Sequence, residues 1–273
     1  MTAANKTKSV SSETAAVAVK VLLYDIECTP MIGWTYGPRW EAHMIEIIEE
    51  KRIISFAWKW LGETQVRVLA LPDFPGYKRN PKSSKALLRE LHKLIGQADV
   101  VIGHNVDCFD DKMANTELIV NDFTPPPPHK TVDTLKVARS KFAFSSNKLE
   151  DLGIRLGVGR KVKHPGWPMW KGCIEGDPKS WAQMRLYNLG DVVLLEAVYR
   201  KMRPWMTSHP CMNATDNADR SKCPHCGAPA IQQSRRGWFF TVMGKVMRFQ
   251  CKACGRWTKG KFVKRMSSWT FKQ

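Results

Sequence analysis

Long apolar runs are absent from this sequence. No uninterrupted stretch approaches the roughly 18 apolar residues that a membrane-spanning helix needs, and the first 14 residues are small and polar. Lys20 and Asp25 interrupt the apolar run that follows, so we expect neither a secretion signal nor a membrane association. We therefore expect a cytoplasmic protein in a reducing compartment.

Acidic residues are scarce relative to basic ones. The chain has 25 Asp and Glu against 43 Lys and Arg, which gives a formal net charge of +18. A basic surface favours a polyanionic partner, although a basic surface without a partner remains the alternative. Residues 205–273 contain 13 Lys and Arg and 2 acidic residues, a net charge of +11. This concentration predicts a polyanion-binding module at the C-terminus.

Cysteines are few, and half of the eight form two CxxC pairs, which are Cys223 with Cys226 and Cys251 with Cys254. In a reducing compartment such pairs predict a tetrahedral zinc site rather than disulfides, with a redox-active pair as the alternative. The 24 residues between the pairs predict a long β-hairpin with strands at 235–240 and 245–249 and a turn near Met243-Gly244. The pattern resembles zinc ribbons, which implies one structural Zn²⁺.

Basic and aromatic side chains alternate along this predicted hairpin. Such a mixture suits phosphate contact combined with base stacking, and docking of another protein is the alternative. The expected nucleic-acid contacts are Arg235, Arg236, Trp238, Lys245 and Arg248.

Apolar periodicity divides the rest of the chain into strands and helices. Three consecutive strands precede helices that alternate with short strands, and this order predicts an α/β fold with a mixed sheet covered by helices. The predicted strands are 17–27, 53–60, 65–71, 99–103 and 130–134, and the predicted helices are 83–97, 107–120, 147–156 and 178–203. The Gly-, Pro- and Trp-rich residues 159–179 predict an ordered loop, and the charged residues 46–52 a solvated helix face.

Two acids end the first predicted strand. Because side chains alternate along a strand, Asp25 and Glu27 lie on one face. Two adjacent carboxylates repel each other unless a cation lies between them, so the pair favours a divalent metal over an ordinary solvated strand end. Asp110 follows a buried strand, which is where α/β folds place their sites.

The last predicted helix carries a further acid. Tyr187 and Asp191 are four residues apart and therefore share one helical face. That face is apolar, and a buried Asp191 needs a partner such as a metal. Gly190 is unfavourable inside a helix, so its presence indicates that another segment approaches closely there.

Together these segments resemble the three exonuclease motifs of the DEDD superfamily, which includes the proofreading domains of DNA polymerases. The matching residues are Asp25-x-Glu27, Asn105-x3-Phe109-Asp110 and Tyr187-x3-Asp191. A tyrosine four residues before the last acid is similar to the tyrosine branch, and the closest likeness is to phage-encoded exonucleases. The resemblance spans residues 17–204.

The resemblance implies an RNase H-like 3′–5′ exonuclease that acts on single-stranded DNA, with RNA as another candidate substrate. It implies two Mg²⁺ or Mn²⁺ ions bound by Asp25, Glu27, Asp110 and Asp191, with Tyr187 orienting the attacking water. Asn105 and Phe109 would position the terminal nucleotide, with a core role as the alternative for Phe109.

The expected organisation is a disordered leader at 1–16, the exonuclease domain at 17–204, a linker at 205–220 and the zinc ribbon at 221–273. An RNase or structure-specific endonuclease on the same fold is one alternative function, and a catalytically inactive nucleic-acid-binding protein is another. A replication or recombination protein is the expected protein partner.

Overall fold

The computed structural model describes residues 19–37, 43–213, 222–229, 231–242 and 244–262. The predicted leader at 1–16 lies outside them. The strands are β1 Val21–Cys28, β2 Ile32–Trp34, β3 Glu46–Glu49, β4 Ile53–Trp60, β5 Arg67–Ala70, β6 Val100–Gly103, β7 Lys130–Asp133, β8 Ile231–Thr241, β9 Gly244–Cys251 and β10 Trp257–Phe262. The α-helices are α1 Lys85–Ile95, α2 Asp110–Val120, α3 Thr134–Lys141, α4 Leu149–Arg155, α5 Trp167–Glu175 and α6 Pro178–Met202.

A five-stranded mixed sheet forms the centre of the N-terminal part, with the strand order β5-β4-β1-β6-β7. The pairs β5–β4 and β4–β1 are antiparallel, whereas β1–β6 and β6–β7 are parallel. The predicted α/β fold with a mixed sheet is therefore confirmed. No helix within the described ranges has both the length and the apolar composition to cross a membrane.

Helices cover both faces of this sheet. Tyr24 and Ile26 of β1 belong to an apolar core that includes α1, α2 and α5. Leu23 points to the opposite face and packs in a second core with α3, α4 and α6. Asp25 and Glu27 follow Leu23 in the same alternation, so the sequence places both acids on the face that α6 covers.

A tight turn after β6 sets the position of Asp110. Asn105 adopts a left-handed conformation with φ of +69°, which asparagine tolerates better than most residues. Its carbonyl accepts hydrogen bonds from the N–H groups of Cys108 and Phe109 at 3.1 and 2.9 Å. The helix predicted from 107 consequently begins at Asp110, which is the first residue of α2.

The prediction of a loop at 159–179 is wrong for α5. Gly166 and Gly176 favour a loop in the sequence pattern, but in the structure they flank this helix with φ values of +75° and +83°. Pro168 lies in its first turn, where a missing N–H removes no intrahelical hydrogen bond. The helix-breaking residues therefore mark the ends of a helix.

The prediction of a helix face at 46–52 is also wrong, because residues 46–49 form β3. This strand pairs with β2 in a separate antiparallel hairpin, a partnership that local charge spacing cannot reveal. No sequence pattern indicated α3 either, whose N-terminal N–H groups are capped by the Asp133 carboxylate.

The C-terminal part contains a three-stranded antiparallel sheet, here called the C-terminal sheet, with the order β10-β9-β8. The two predicted hairpin strands correspond to β8 and β9, and Gly244 begins β9 as expected for the turn region. Met243 lies outside the described residues. The third strand, β10, follows the second CxxC pair and was not predicted.

Candidate active site

Three of the four predicted acids converge. Asp25 and Glu27 of β1 and Asp191 of α6 each offer a carboxylate oxygen, and these oxygens lie within 4.8 Å of one another. We call these three residues the acidic cluster. Asp191 is almost fully buried, and strand alternation presents the other two acids to α6 as predicted. The fold thus brings Asp25 and Glu27 together with Asp191, which lies 164 positions after Glu27.

Asp110 lies at the edge of this cluster rather than within it. Its side chain is 3% exposed, and its Oδ1 accepts a hydrogen bond of 3.2 Å from the N–H of Ile26. Ile26 is the residue between Asp25 and Glu27, so Asp110 contacts the backbone of β1 at the position between the two acids. Its negative charge contributes to raising the pKa of Asp25.

Burial and mutual repulsion make it costly to charge all these carboxylates. Burial first, and then the charges of Asp110, Glu27 and Asp191, raise the pKa of Asp25. Burial and Asp191 raise the pKa of Glu27 to about 8, and burial raises that of Asp110 to about 7. Burial also raises the pKa of Asp191, against the opposing effect of Lys161.

This donor set fits divalent metal ions. Asp191 Oδ1 is buried and has no hydrogen-bond partner among the residues that the structure describes. Buried oxygens without partners are rare unless a ligand or water satisfies them. Carboxylate oxygens are the ligands that Mg²⁺ and Mn²⁺ prefer, so Asp25, Glu27 and Asp191, with Asp110 at their edge, are the residues that would hold such ions.

Lys161 is a site residue that the motifs did not predict. Its Nζ donates to Asp191 Oδ2 at 2.6 Å and to the Tyr187 hydroxyl at 3.0 Å. Although burial opposes it, the interaction with Asp191 raises the pKa of Lys161, so this side chain remains charged. It neutralises part of the acidic cluster and fixes one oxygen of Asp191.

The close approach expected at Gly190 is confirmed, and it explains how Lys161 reaches the site. A Cβ at Gly190 would lie 2.5 Å from Val162 Cγ2, far inside van der Waals contact. Glycine therefore lets the segment that carries Lys161 lie directly against α6. The signal was present in the sequence, but it did not identify the partner.

Asn188 is a second residue that the motifs missed. Its Nδ2 donates to Asp25 Oδ2 at 2.9 Å and to the Asp25 carbonyl at 3.2 Å. Its own Oδ1 accepts from the Ser55 hydroxyl at 3.0 Å. The fully buried amide thus ties α6 to β1 and fixes the orientation of the Asp25 carboxylate.

Tyr187 lies on the same face of α6 as Asp191, as predicted, and only 7% of it is exposed. Its ring contacts those of His164 and Trp170, with centroid distances of 4.5 and 5.9 Å. Burial and the charge of Asp191 raise the pKa of its hydroxyl. The phenol therefore stays protonated at neutral pH and is suited to hydrogen bonding rather than to proton abstraction.

A cleft of about 590 Å³, lined mainly by polar residues, reaches the acidic cluster through Lys161, which contacts Asp191. Asn105, Arg139, Lys148 and Lys161 are among its lining residues. The Asn105 N–H donates to Asp133 Oδ1 at 2.9 Å, which holds the turn that presents this side chain. The cations make the cleft suitable for phosphate groups.

A second cleft, of about 300 Å³ and mainly apolar, has Glu27 as part of its wall. Phe109, Trp167 and Trp170 also line it. Phe109 is 40% exposed, so the alternative that it belongs to the core is wrong. The two tryptophans come from α5, the helix that the sequence patterns did not predict.

The four cysteines of the CxxC pairs form a second cluster, here called the cysteine centre. All four Sγ atoms lie within 4.8 Å of one another, with separations of 3.8 Å for Cys223–Cys254 and 3.7 Å for Cys226–Cys251. Tetrahedral zinc with Zn–S bonds of about 2.3 Å places its sulfur ligands about 3.8 Å apart. The centre therefore fits a structural Zn²⁺.

The expected nucleic-acid contacts on the C-terminal sheet are only partly described. The side chains of Arg235 and Arg236 lie outside the described residues. Lys245 Nζ lies 4.6 Å from the centre of the Trp238 ring, and Arg248 covers the Trp257 ring at 5.4 Å. Cations and aromatic rings are thus interleaved as predicted.

Comparisons with known proteins agree with this geometry in part. Residues 76–166 match the RNase_T family model, described as Exonuclease; the match includes Asn105 and Asp110 but neither β1 nor α6. No curated protein matches the sequence significantly.

A solved structure, the family B DNA polymerase from the hyperthermophilic archaeon Pyrobaculum calidifontis, matches with a TM-score of 0.52 at 15% sequence identity. The match covers 68% of this chain and 25% of the polymerase, so the chain spans about a quarter of that length. At this identity the match supports the fold alone.

Proposed function

We propose that the chain is a metal-dependent 3′–5′ exonuclease that acts on single-stranded DNA. The observation that carries the proposal is the acidic cluster, in which Asp25, Glu27 and Asp191 meet within 4.8 Å. Charging carboxylates this close together is unfavourable unless cations bind them, and strongly perturbed acids in a cleft indicate a functional site. The exonuclease family match around Asp110 supports the same interpretation.

The proposed reaction is hydrolysis of the last phosphodiester bond. Two divalent ions held by the four acids would supply an activated hydroxide and stabilise the leaving 3′ oxygen. Asn188 orients the Asp25 carboxylate through its hydrogen bond of 2.9 Å. Asp110 shapes the position of β1 through the Ile26 N–H. These contacts preorganise the oxygens before substrate binds.

Tyr187 and Lys161 have separate roles in this proposal. Tyr187 keeps its proton and orients the attacking water by hydrogen bonding. Lys161 holds Asp191 at 2.6 Å and supplies positive charge close to where the phosphate charge develops in the transition state. Neither side chain acts as the general base.

The two clefts suggest the path of the strand. The aromatic side chains of Phe109, Trp167 and Trp170 suit an unpaired terminal base, because base–aromatic stacking is tolerant of sequence. Arg139 and Lys148 in the polar cleft suit the phosphates. Asn105 lines this cleft, where it would contact the terminal nucleotide.

The domain boundaries proposed from the sequence are retained, with an exonuclease domain at 17–204, a linker at 205–220 and a zinc ribbon at 221–273. The ribbon holds one Zn²⁺ at the cysteine centre and adds nucleic-acid affinity through its basic face. A phage origin, a cytoplasmic location and a replication or recombination partner stay predictions.

The test is a time course on 5′-labelled single-stranded DNA with Mg²⁺, with Mn²⁺ and with EDTA, beside an RNA of the same sequence. The proposal predicts a metal-dependent ladder that shortens from the 3′ end, with DNA degraded faster. Internal cuts would favour an endonuclease, and preferential degradation of the RNA would favour an RNase. Tight binding without cleavage in either metal would identify an inactive binding protein.

A further inference from the structure

Two arginines connect the exonuclease domain with the cysteine centre, and we call this region of contact the joint. One arginine extends from the end of α6 to the first CxxC turn, and the other extends from the second CxxC turn to the end of α6. Arg203 caps the end of α6 and donates through Nη2 to the carbonyl of His225, which lies between Cys223 and Cys226. Arg256 follows the second CxxC pair, and its Nη1 lies 3.5 and 3.4 Å from the carbonyls of Arg203 and Pro204. The end of a helix, with its unpaired carbonyls, favours such a cation.

Further contacts cross the same joint. The N–H of Met212 donates to the carbonyl of Pro224 at 2.7 Å, and the rings of His209 and His225 lie 6.4 Å apart. His209 is itself held by the Tyr199 hydroxyl on α6 at 2.7 Å. The first CxxC turn is therefore in contact with both α6 and the segment that follows it.

The charges at this joint are not balanced by carboxylates. Arg203 is 8% exposed, and the buried Nε atoms of Arg203 and Arg256 have no hydrogen-bond partner among the described residues. Within the described ranges neither arginine forms an ion pair with Asp or Glu. Buried charges require a counter-charge.

The cysteine centre can supply that counter-charge. Four thiolates and one Zn²⁺ carry a net charge of −2, which equals the sum of the two guanidinium charges in magnitude. Arg203 contacts the turn that presents Cys223 and Cys226, and the Arg256 carbonyl accepts a hydrogen bond of 2.9 Å from the N–H of Cys251.

We propose that Zn²⁺ at the cysteine centre holds the C-terminal module, residues 222–262, against the end of α6. In this zinc-dependent contact, which we call the latch, Arg203 and Arg256 are the counter-charges of the metal–thiolate group. Asp191 and Arg203 are 12 residues apart along one helix, which corresponds to ~18 Å. The basic sheet is then a fixed extension of the acidic site. The latch itself does not depend on the proposed exonuclease activity.

The experiment uses the full chain and measures hydrogen–deuterium exchange at residues 203–213 together with bound zinc. Exchange there should accelerate when zinc is removed. It should also accelerate in Arg256→Met, in which the C-terminal sheet remains intact. Lys252→Met is the matched control, because it removes one positive charge from an exposed position of the same turn.

Zinc affinity, measured by competition with a chelator, gives the second readout. Because docking and metal binding are linked, Arg256→Met should weaken zinc binding by roughly 5–150-fold, the range of a typical coupling between two linked events. Lys252→Met should leave both quantities near wild type. Unchanged exchange and unchanged zinc affinity in Arg256→Met would overturn the latch, as would full protection of residues 203–213 in the zinc-free protein.

Discussion

The acidic cluster and the cysteine centre are assembled in opposite ways. The acidic cluster comes from β1 and α6, with Asp110 of α2 at its edge, and these elements lie far apart in sequence and meet only through the packed sheet. The cysteines all lie between Cys223 and Cys254, on two turns that flank one hairpin. Among the described apolar side chains of this C-terminal module, the buried ones are Cys223, Val246 and Cys251.

This difference shows what each site depends on. The acidic cluster is produced by a fold that is stable enough to hold repelling carboxylates together, so it should persist without metal. Within its described residues the C-terminal module has too small an apolar core to fold by itself, so its structure should depend on zinc. The N-terminal fold thus creates the acidic cluster, whereas zinc at the cysteine centre should be needed for the C-terminal module to fold.

The largest expected effect comes from Asp110→Asn, which tests whether the acid at the edge of the cluster belongs to the site. Removal of one metal-binding carboxylate costs several kcal/mol of transition-state stabilisation, so hydrolysis should slow by roughly 10³-fold. The melting temperature without metal should not fall, because the change relieves repulsion of Asp25.

The matched control for this prediction is Asp111→Asn, the same chemical change one residue later on α2. The Asp111 carboxylate accepts a hydrogen bond from the Tyr24 hydroxyl. It should retain most activity. Comparable decreases in both variants would show that charge on α2, rather than a metal-binding role of Asp110, determines the rate.

The next effect concerns the zinc-dependent module. Cys254→Ser should abolish its ordered structure while the N-terminal part with the five-stranded sheet keeps a cooperative unfolding transition. Binding of single-stranded DNA should weaken and become less salt-dependent, with the slope of log K against log salt falling by about 0.7 for each phosphate that the module no longer neutralises. Titrations at several salt concentrations measure this slope.

Cys211→Ser is the control for that experiment, because Cys211 is exposed and lies outside the cysteine centre. An unchanged salt slope in Cys254→Ser, despite an unfolded module, would favour a protein-docking role for the module over nucleic-acid contact.

A smaller effect is expected from Gly190→Ala. The new Cβ would overlap Val162 Cγ2 at 2.5 Å and push the Lys161 segment away from Asp191. Overpacking of this kind costs about 1–3 kcal/mol, and a tenfold slower rate corresponds to about 1.4 kcal/mol. We therefore expect the rate of hydrolysis to fall by roughly tenfold.

Val162→Ala in the same chain should recover much of that activity, because it removes the overlapping methyl group. A double-mutant cycle measures the coupling between the two positions. Additive effects would show that Gly190 is required for a reason other than the approach of Val162.

The smallest effect is a pH dependence of stability. Burial and Asp191 raise the pKa of Glu27 to about 8 from 4.5, so between these values the metal-free folded protein binds more protons than the unfolded chain. Its stability must therefore fall as pH rises through this window. Mn²⁺ displaces those protons, and its stabilising effect should grow towards about pH 8.

Thermal unfolding with and without Mn²⁺ across this pH range checks the prediction. Glu27→Gln should flatten the metal-free profile. A metal-induced shift that is equal at low and high pH would mean that protons and metal ions do not compete at these acids.

Local patterns, combined with the resemblance to the exonuclease motifs, were sufficient to locate the acids, and the CxxC spacing located the cysteines. Strand alternation placed Asp25 and Glu27 on one face, and helical spacing placed Tyr187 beside Asp191. Both rules depend only on backbone geometry, so they hold whatever surrounds the element. The order of strands and helices likewise predicted the mixed sheet.

Contacts between distant segments were not accessible from the sequence. Lys161 reaches Asp191 because a segment 30 residues earlier crosses α6 at Gly190. Asn188 has no sequence pattern that distinguishes it from other polar helix residues, and only the packing of α6 against β1 shows its contact with Asp25. The helix α5 was missed because glycine and proline disfavour a helix interior but are favourable at its ends.

The most direct test of the two-metal site uses a DNA strand whose last phosphodiester carries sulfur in place of the leaving 3′ oxygen. Mg²⁺ binds sulfur poorly, whereas the softer Mn²⁺ tolerates it better. The account predicts that cleavage of this bond is strongly impaired with Mg²⁺ and substantially restored with Mn²⁺, while the unmodified strand shows no comparable difference. Equal Mg²⁺-to-Mn²⁺ rate ratios for the two strands would contradict it, because no metal ion would then contact the leaving atom.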